Sequence, residues 1–431
     1  MDPLPSSVND GSVNSELLSK GLNALNENKL DIAIELFKEF LQNDEDNSKA
    51  LFYLGQARQR NNQPEKALKC FNKALKLDPL NPEVLIFQAL VYESLDEKYK
   101  AKECYEKVLE IQPNNAKAYC QLGLYYSEAN RHDLAMEYFI LANKISPQDA
   151  SIYINLGNSS DISGDDEKAI EYYKTALEIN PNDASAWYLM GMAYVDLKDF
   201  ENAKFAFKNA ISIKKDYVSA YINYSILLFN ESNLEEAEKS INTALALDEY
   251  SSEANYYLGL IADKQNNHEK AIHHFKIAIE CNELNEETYL HMAKSFIKTD
   301  DNALALGSLL SAYKLNNSNF DVIYHLGFVY FLQTEYDKAI KFFDLALKLK
   351  PNSRDAHYYK AIALIRQDKF SKALKCFKLI LNLNPDDHYS LYQQSLIYLN
   401  RNERKKAVVL LKKAQELGNH DAEEVLKTIN N

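Results

Sequence analysis

The chain has 431 residues, 46% of them hydrophobic and 26% charged, and a formal net charge of −13. This composition suits a globular protein with a large buried apolar surface. The acidic balance argues against general affinity for nucleic acid or anionic membranes, both of which need cationic surface.

At the N-terminus, MDPLPSSVNDGSV has neither the basic start nor the apolar stretch of a signal peptide. Rich in Ser, Pro, Asn and Asp, residues 1–13 read as a disordered tail. No segment approaches the ~20 apolar residues of a membrane helix. Five cysteines (Cys70, Cys104, Cys120, Cys281 and Cys376) form an odd set without CxxC spacing, so free thiols are expected. A cytoplasmic protein without a zinc site follows as the expectation.

From Asn14 to Asp421 the sequence divides into twelve blocks of 34 residues without insertion or deletion. They are 14–47, 48–81, 82–115, 116–149, 150–183, 184–217, 218–251, 252–285, 286–319, 320–353, 354–387 and 388–421. Slot 20 of the block is Ala in all twelve, from Ala33 and Ala67 to Ala407. Slot 8 is always Gly, Ala or Ser, as in Gly55, Ala89 and Ser225. Slot 24 is large and apolar or aromatic, as in Phe37, Tyr105 and Phe207, slot 27 is Ala in nine blocks, and slot 32 is Pro in six.

Apolar residues recur at helical spacing through slots 4, 7, 8 and 11, then through 20, 24, 27 and 28, so each block predicts two amphipathic helices. Small residues belong where helix axes come nearest, and large ones fill the space around them. Asn or Asp after the proline (Asn182, Asp183, Asn352) suits a cap for the next helix. One pair cannot hide both of its faces, so each block must stack on the next. The sixth to ninth blocks lack the proline, which predicts softer packing or a bend near residues 215–320 unless proline is only one helix stop among several. After the last block, AEEVLKTINN (422–431) predicts a solvating cap helix.

Small-8, Ala-20, aromatic-24, Ala-27 and Pro-32 at this period resemble the tetratricopeptide repeat family throughout residues 14–421. The resemblance implies an all-α, right-handed superhelical solenoid of antiparallel helix pairs, with the first helices lining a concave groove. It also implies a non-enzymatic scaffold or adaptor that binds segments of other proteins, with no cofactor.

The residues agree with that implication. Seven of the eleven glycines fill slot 8 and the other four are isolated, so no GxGxxG or GxxxxGK[ST] phosphate cradle can be written. GxSxG and HExxH are absent. His291 and His325 share slot 6 of consecutive blocks, too far apart for one metal but placed for a pH-sensitive contact. His273 and His274 are neighbours expected to point apart. Cys70, Cys104 and Cys376 share slot 23, with no basic neighbour evident to lower a thiol pKa.

If slots 2, 5, 6, 9, 12 and 13 face the groove, they present seven Lys or Arg and ten Asp or Glu. The chaperone-binding carboxylate clamp of the family needs Lys in slot 5, and no block has one. The asparagine ladder of O-linked N-acetylglucosamine transferases is reduced to Asn155 and Asn223. A substrate-selecting or regulatory subunit of such a glycosyltransferase is therefore the second reading. The groove's aromatic surface is Tyr188, Tyr256, Tyr257, Tyr324, Phe328, Phe331, Tyr358, Tyr359 and Tyr392, which suits an extended peptide or a partner helix. Residues 354–421 hold thirteen Lys or Arg against seven Asp or Glu, and this polarity permits contact with an acidic partner or self-association through the array ends.

Overall fold

The computed structural model describes residues 10–430, so the tail expected over residues 1–9 lies outside the described residues. The first helix opens at Asp10, which makes residues 10–13 helix where the sequence suggested tail. Twenty-five helices and no strand occur among the described residues. From the second block to the eleventh, a helix of 13 residues is followed by one of 14, as in Ala184–Asp196 and Phe200–Ile213.

Two features of the backbone set this rhythm. Slot 15 has a left-handed backbone in every block: Asn28, Asn62, Asp96, Asn130, Gly164, Lys198, Ser232, Asn266, Asp300, Thr334, Asp368 and Asn402. The following amide reaches back across the last turn, as Gln63 N–H does to Arg58 O at 2.9 Å, closing the first helix. The second feature is slot 34, which caps the next first helix. Asn47 Oδ1 accepts from the Ala50 amide at 2.9 Å, and Asp183 Oδ1 accepts from Ser185 and Ala186 at 2.9 and 3.0 Å. Of the expected caps Asp183 performs the role; Asn182 and Asn352 each precede the cap by one residue, and Ser353 caps where Asn352 was expected.

The chain divides between Lys215 and Asp216 into two compact units. Within each, every helix packs on the next one along the chain, and first helices of consecutive blocks also touch. The division falls beside Tyr217, which makes no side-chain cap bond to the helix Val218–Asn230. Softer packing is not what the second unit shows. Ser251, Asn285 and Asn319 cap the helices that follow the other proline-free junctions. In the ninth block Ala305, Leu309 and Ala312 are fully buried within a core that runs from Ala262 to Ala356. Proline is one helix stop among several, and a polar cap replaces it.

Each core repeats one arrangement. The slot-20 alanines are buried, and the slot-24 rings of Phe37, Phe71, Phe139, Tyr173, Phe207, Phe275, Phe343 and Phe377 are among the largest fully buried side chains. The last helix, His420–Asn430, lays Ala422 and Leu426 on Leu411 and Ala414.

Candidate protein-binding surface

The groove aromatics are seated on the core. Slot 5 leans on the slot-24 ring of its own block: Tyr188 on Phe207 at 5.7 Å, Tyr256 on Phe275 at 6.1 Å, Tyr324 on Phe343 at 6.0 Å, and Tyr358 on Phe377 at 6.1 Å between centroids. Slot 6 reaches the slot-24 ring of the preceding block, as His291 does to Phe275 at 6.3 Å and Tyr359 to Phe343 at 6.4 Å. The fully buried slot-24 rings therefore support the expected groove aromatics from beneath.

In the second unit most of the expected residues come together. Tyr324 stacks with Phe328 at 6.4 Å, and Tyr359 meets Phe328 at 4.9 Å and Phe331 at 5.6 Å. Phe320 and Tyr336, which were not singled out, extend this group: Phe320 stacks on Tyr324 at 6.0 Å, and Tyr336 meets Phe331 at a tilt at 5.9 Å. Tyr256 lies beside Tyr257 at 5.3 Å and His291 at 5.9 Å, and His325 beside Tyr324 at 5.1 Å. Tyr358 is covered by the Arg354 guanidinium at 4.7 Å. Tyr392 packs with the C-terminal core cluster instead. Tyr188 and Asn155 belong to the first unit, and Asn223, in the second, donates to Ser219 O at 3.1 Å within its own helix.

Electrostatics sharpens this picture. Burial first, then Lys294, pushes the His291 pKa down to about 4, and burial also lowers that of His325. Both are neutral at pH 7 and act as aromatic surface there. Burial raises the Tyr256 and Tyr324 pKa values, so their hydroxyls stay protonated donors. Several groove charges are already answered. Asp263 lies 2.8 Å from Lys298 Nζ, 2.8 Å from His268 Nδ1 and 3.0 Å from Ser295 Oγ. Burial opposes its ionisation, and these partners outweigh burial and hold its pKa below the usual range.

Other expectations need adjustment. His273 and His274 do not point apart; their rings meet edge-on at 5.1 Å. Cys70 does have a basic neighbour, since Arg58 Nη1 lies 3.0 Å from its Sγ. Burial is the stronger influence and raises the thiol pKa, as it does for Cys104 and Cys376. In the first unit, a hollow of about 300 Å³ opens between Glu93, Lys102, Tyr105, Gln121 and Tyr125. Tyr105 donates to Glu93 there at 3.0 Å; the sequence signal was a tyrosine where most blocks have phenylalanine. Among the described residues one acidic group, Asp161, Asp166 and Asp196, brings its carboxylate oxygens within 4.8 Å of each other. Burial and then the two neighbours raise the Asp161 pKa.

A family model described as the cytochrome c-type biogenesis protein H TPR domain matches residues 14–153 and 173–283. Tetratricopeptide repeat models match residues 150–183, 290–354 and 330–396. Among solved structures, the chain is similar to the APC/C hetero-tetramer Cut9-Hcn1, with 15% identity, 96% of each chain covered and a TM-score of 0.47. It is also similar to MamA, with 27% identity over 38% of this chain and 96% of that chain, TM-score 0.36. A third is YrrB, described as a TPR protein with an unusual peptide-binding site, with 22% identity over 45% of this chain and 99% of that chain, TM-score 0.39. No curated protein matches the chain.

Proposed function

The chain belongs to the tetratricopeptide repeat family, and from that premise we propose that it is a non-enzymatic scaffold that binds segments of other proteins along its first helices. The observation that supports this most is the half-buried aromatic group of Tyr324, Phe328, Phe331 and Tyr359, set on the Phe343 ring. Rings fixed from below offer contact area at small entropic cost, and their tyrosine hydroxyls add polar selection. A peptide with apolar or aromatic anchors, extended or helical, is the ligand that such a surface takes.

No helix among the described residues is long and apolar enough to cross a membrane. The five cysteines are free, which supports work in the cytoplasm.

Alanine at Tyr324 or Tyr359 would disturb the core as well as the groove, because both rings pack on Phe343. Tyr257, whose one ring contact is Tyr256, is the cleaner probe. A Tyr257→Ser, Phe328→Ser protein with unchanged circular dichroism is expected to lose peptides recovered by the wild type from a displayed library. Retention of every such peptide sinks the groove assignment.

A further inference from the structure

The outer side of the last three second helices carries a charge pattern that the groove does not use. Slots 19, 22 and 25 face away from the helix pair. Tyr336–Leu349 places Lys338 and Lys341 there, Phe370–Leu383 places Lys372, Lys375 and Lys378, and Arg404–Glu416 places Lys406 and Lys412. All seven are exposed. In the nine earlier blocks the same slots mix acidic, apolar and basic residues, for example Lys100, Glu103 and Glu106, or Leu304, Gly307 and Leu310. Seven lysines against one carboxylate, Asp344, in the nine slots of these three helices is a local excess within an acidic chain.

Most of this charge is unanswered. Lys338 pairs with Glu335 at 2.5 Å and Lys406 with Glu403 at 2.6 Å. Lys341, Lys372, Lys375, Lys378 and Lys412 make no ion pair among the described residues. Lysines three apart on one helix are neighbours, so leaving them unpaired is unfavourable until an anion arrives.

Two hollows lie among these lysines, and both have aliphatic walls. One, of about 390 Å³, sets Ile340, Leu364 and Leu379 beside Lys372 and Lys375; its two carboxylates, Asp337 and Asp344, are answered by Lys369 at 3.7 Å and Lys360 at 2.5 Å. The other, of about 440 Å³, sets Val409, Leu410 and Tyr398 beside Lys405 and Lys406. Leu379 and Val409 are 48% and 67% exposed, which marks them as apolar surface without cover.

We propose that this face is a second docking surface, independent of the groove, for an acidic protein segment in which Asp or Glu alternates with aliphatic side chains. The carboxylates meet the unpaired lysines and the aliphatic side chains enter the two hollows. Single-stranded nucleic acid fits less well, because its bases stack on aromatic rings, and apart from Tyr398 and the buried His357 these walls offer none. An anionic membrane would have to overcome the repulsion of a chain with net charge −13.

The test uses the full chain and a fluorescein-labelled synthetic peptide of about twelve residues alternating Glu and Leu, long enough to cross three helices about 10 Å apart. Anisotropy is expected to report saturable binding that weakens as salt rises. Lys372→Glu, Lys375→Glu should lower the affinity about tenfold, Lys372→Arg, Lys375→Arg should keep it, and Tyr257→Ser, Phe328→Ser should leave it unchanged. Three results overturn the proposal. They are no binding by the wild type, equal binding by the Glu variant with its circular dichroism intact, or tighter lysine-dependent binding to oligo(U) or to phosphatidylserine vesicles than to the peptide.

Discussion

A β-carbon added to Gly191 would lie 2.6 Å from Cε1 of Phe207, closer than any ordinary contact. The same relation joins Gly21 to Phe37 at 2.6 Å and Gly259 to Phe275 at 2.5 Å, always slot 8 against slot 24 of one block. All seven slot-8 glycines face an aromatic ring at slot 24. Where slot 8 carries a β-carbon the facing residue is smaller in three blocks of five: Ser225 with Ile241, Ala293 with Leu309 and Ser395 with Leu411. Gly191→Ala should therefore cost about 1–3 kcal/mol through overpacking. Phe207→Leu in the same protein should recover part of that loss, a coupling that urea melts of the four-member cycle would measure.

Thr334 holds φ at 62°, a left-handed conformation that crowds a β-branched side chain. Thr334→Gly is expected to raise stability by about 0.5–1 kcal/mol, because relief of strain exceeds the added freedom of the unfolded chain. The control is Asn266→Gly, at φ 63°, where asparagine already tolerates the geometry and little change is expected. Thermal unfolding of both variants checks the contrast.

Arg354, the first residue of the eleventh block, donates Nε to Oδ2 of Asp387, the last, at 2.8 Å. Asp387 is 8% exposed and also caps the helix His388–Asn400 through the Ser390 amide at 2.8 Å. Burial opposes its ionisation, and Arg354 with Ser390 outweighs burial, so its folded pKa is depressed. Arg354→Met should cost about 1–3 kcal/mol at pH 7, since a buried carboxylate is left without its partner. A depressed carboxylate contributes stability above its unfolded pKa, near 3.9, and loses it as pH falls through the folded value. The penalty should thus shrink in urea melts near pH 3.

His291 and His274 are both held at a pKa of about 4, chiefly by burial. Unfolded histidine titrates near 6.5. Below that value the unfolded chain binds protons that the folded chain refuses, so stability is full above about pH 6.5 and declines toward pH 4. His291→Gln should flatten the decline by about 1–3 kcal/mol between pH 7 and 4.5. An unchanged slope in urea midpoints would show that the ring titrates freely.

The period and its small residues were legible because Ala203 and Gly191 recur at fixed slots, and recurrence is a one-dimensional property. The left-handed turn was only half legible. Asn28 and Asp96 announce it, whereas Lys198, Ser232 and Thr334 adopt the same backbone because both flanking helices impose it. What the sequence withheld was pairing across helices. Arg58 and Cys70 meet because slots 11 and 23 face each other across one pair. Tyr359 reaches Phe343 because one block's second helix sits beneath the next block's first. Such neighbours depend on how rods cross, which no count along a single helix reveals. The Asp263 cluster was hidden for the same reason, since Lys298 and Ser295 come to it from the following block.

Four slot-24 rings, Phe37, Phe71, Phe275 and Phe343, are gripped twice, by the glycine of their own block and by an aromatic of the next, as Phe37 is by Gly21 and Tyr53. Because these grips recur at a 34-residue period, a gene that duplicates or drops one such segment re-forms both grips with a different ring. A change of any other length would present the incoming helix with its wrong side. Copy number is therefore the inheritable variable that this architecture tolerates best, and growth of the array leaves its existing joints untouched.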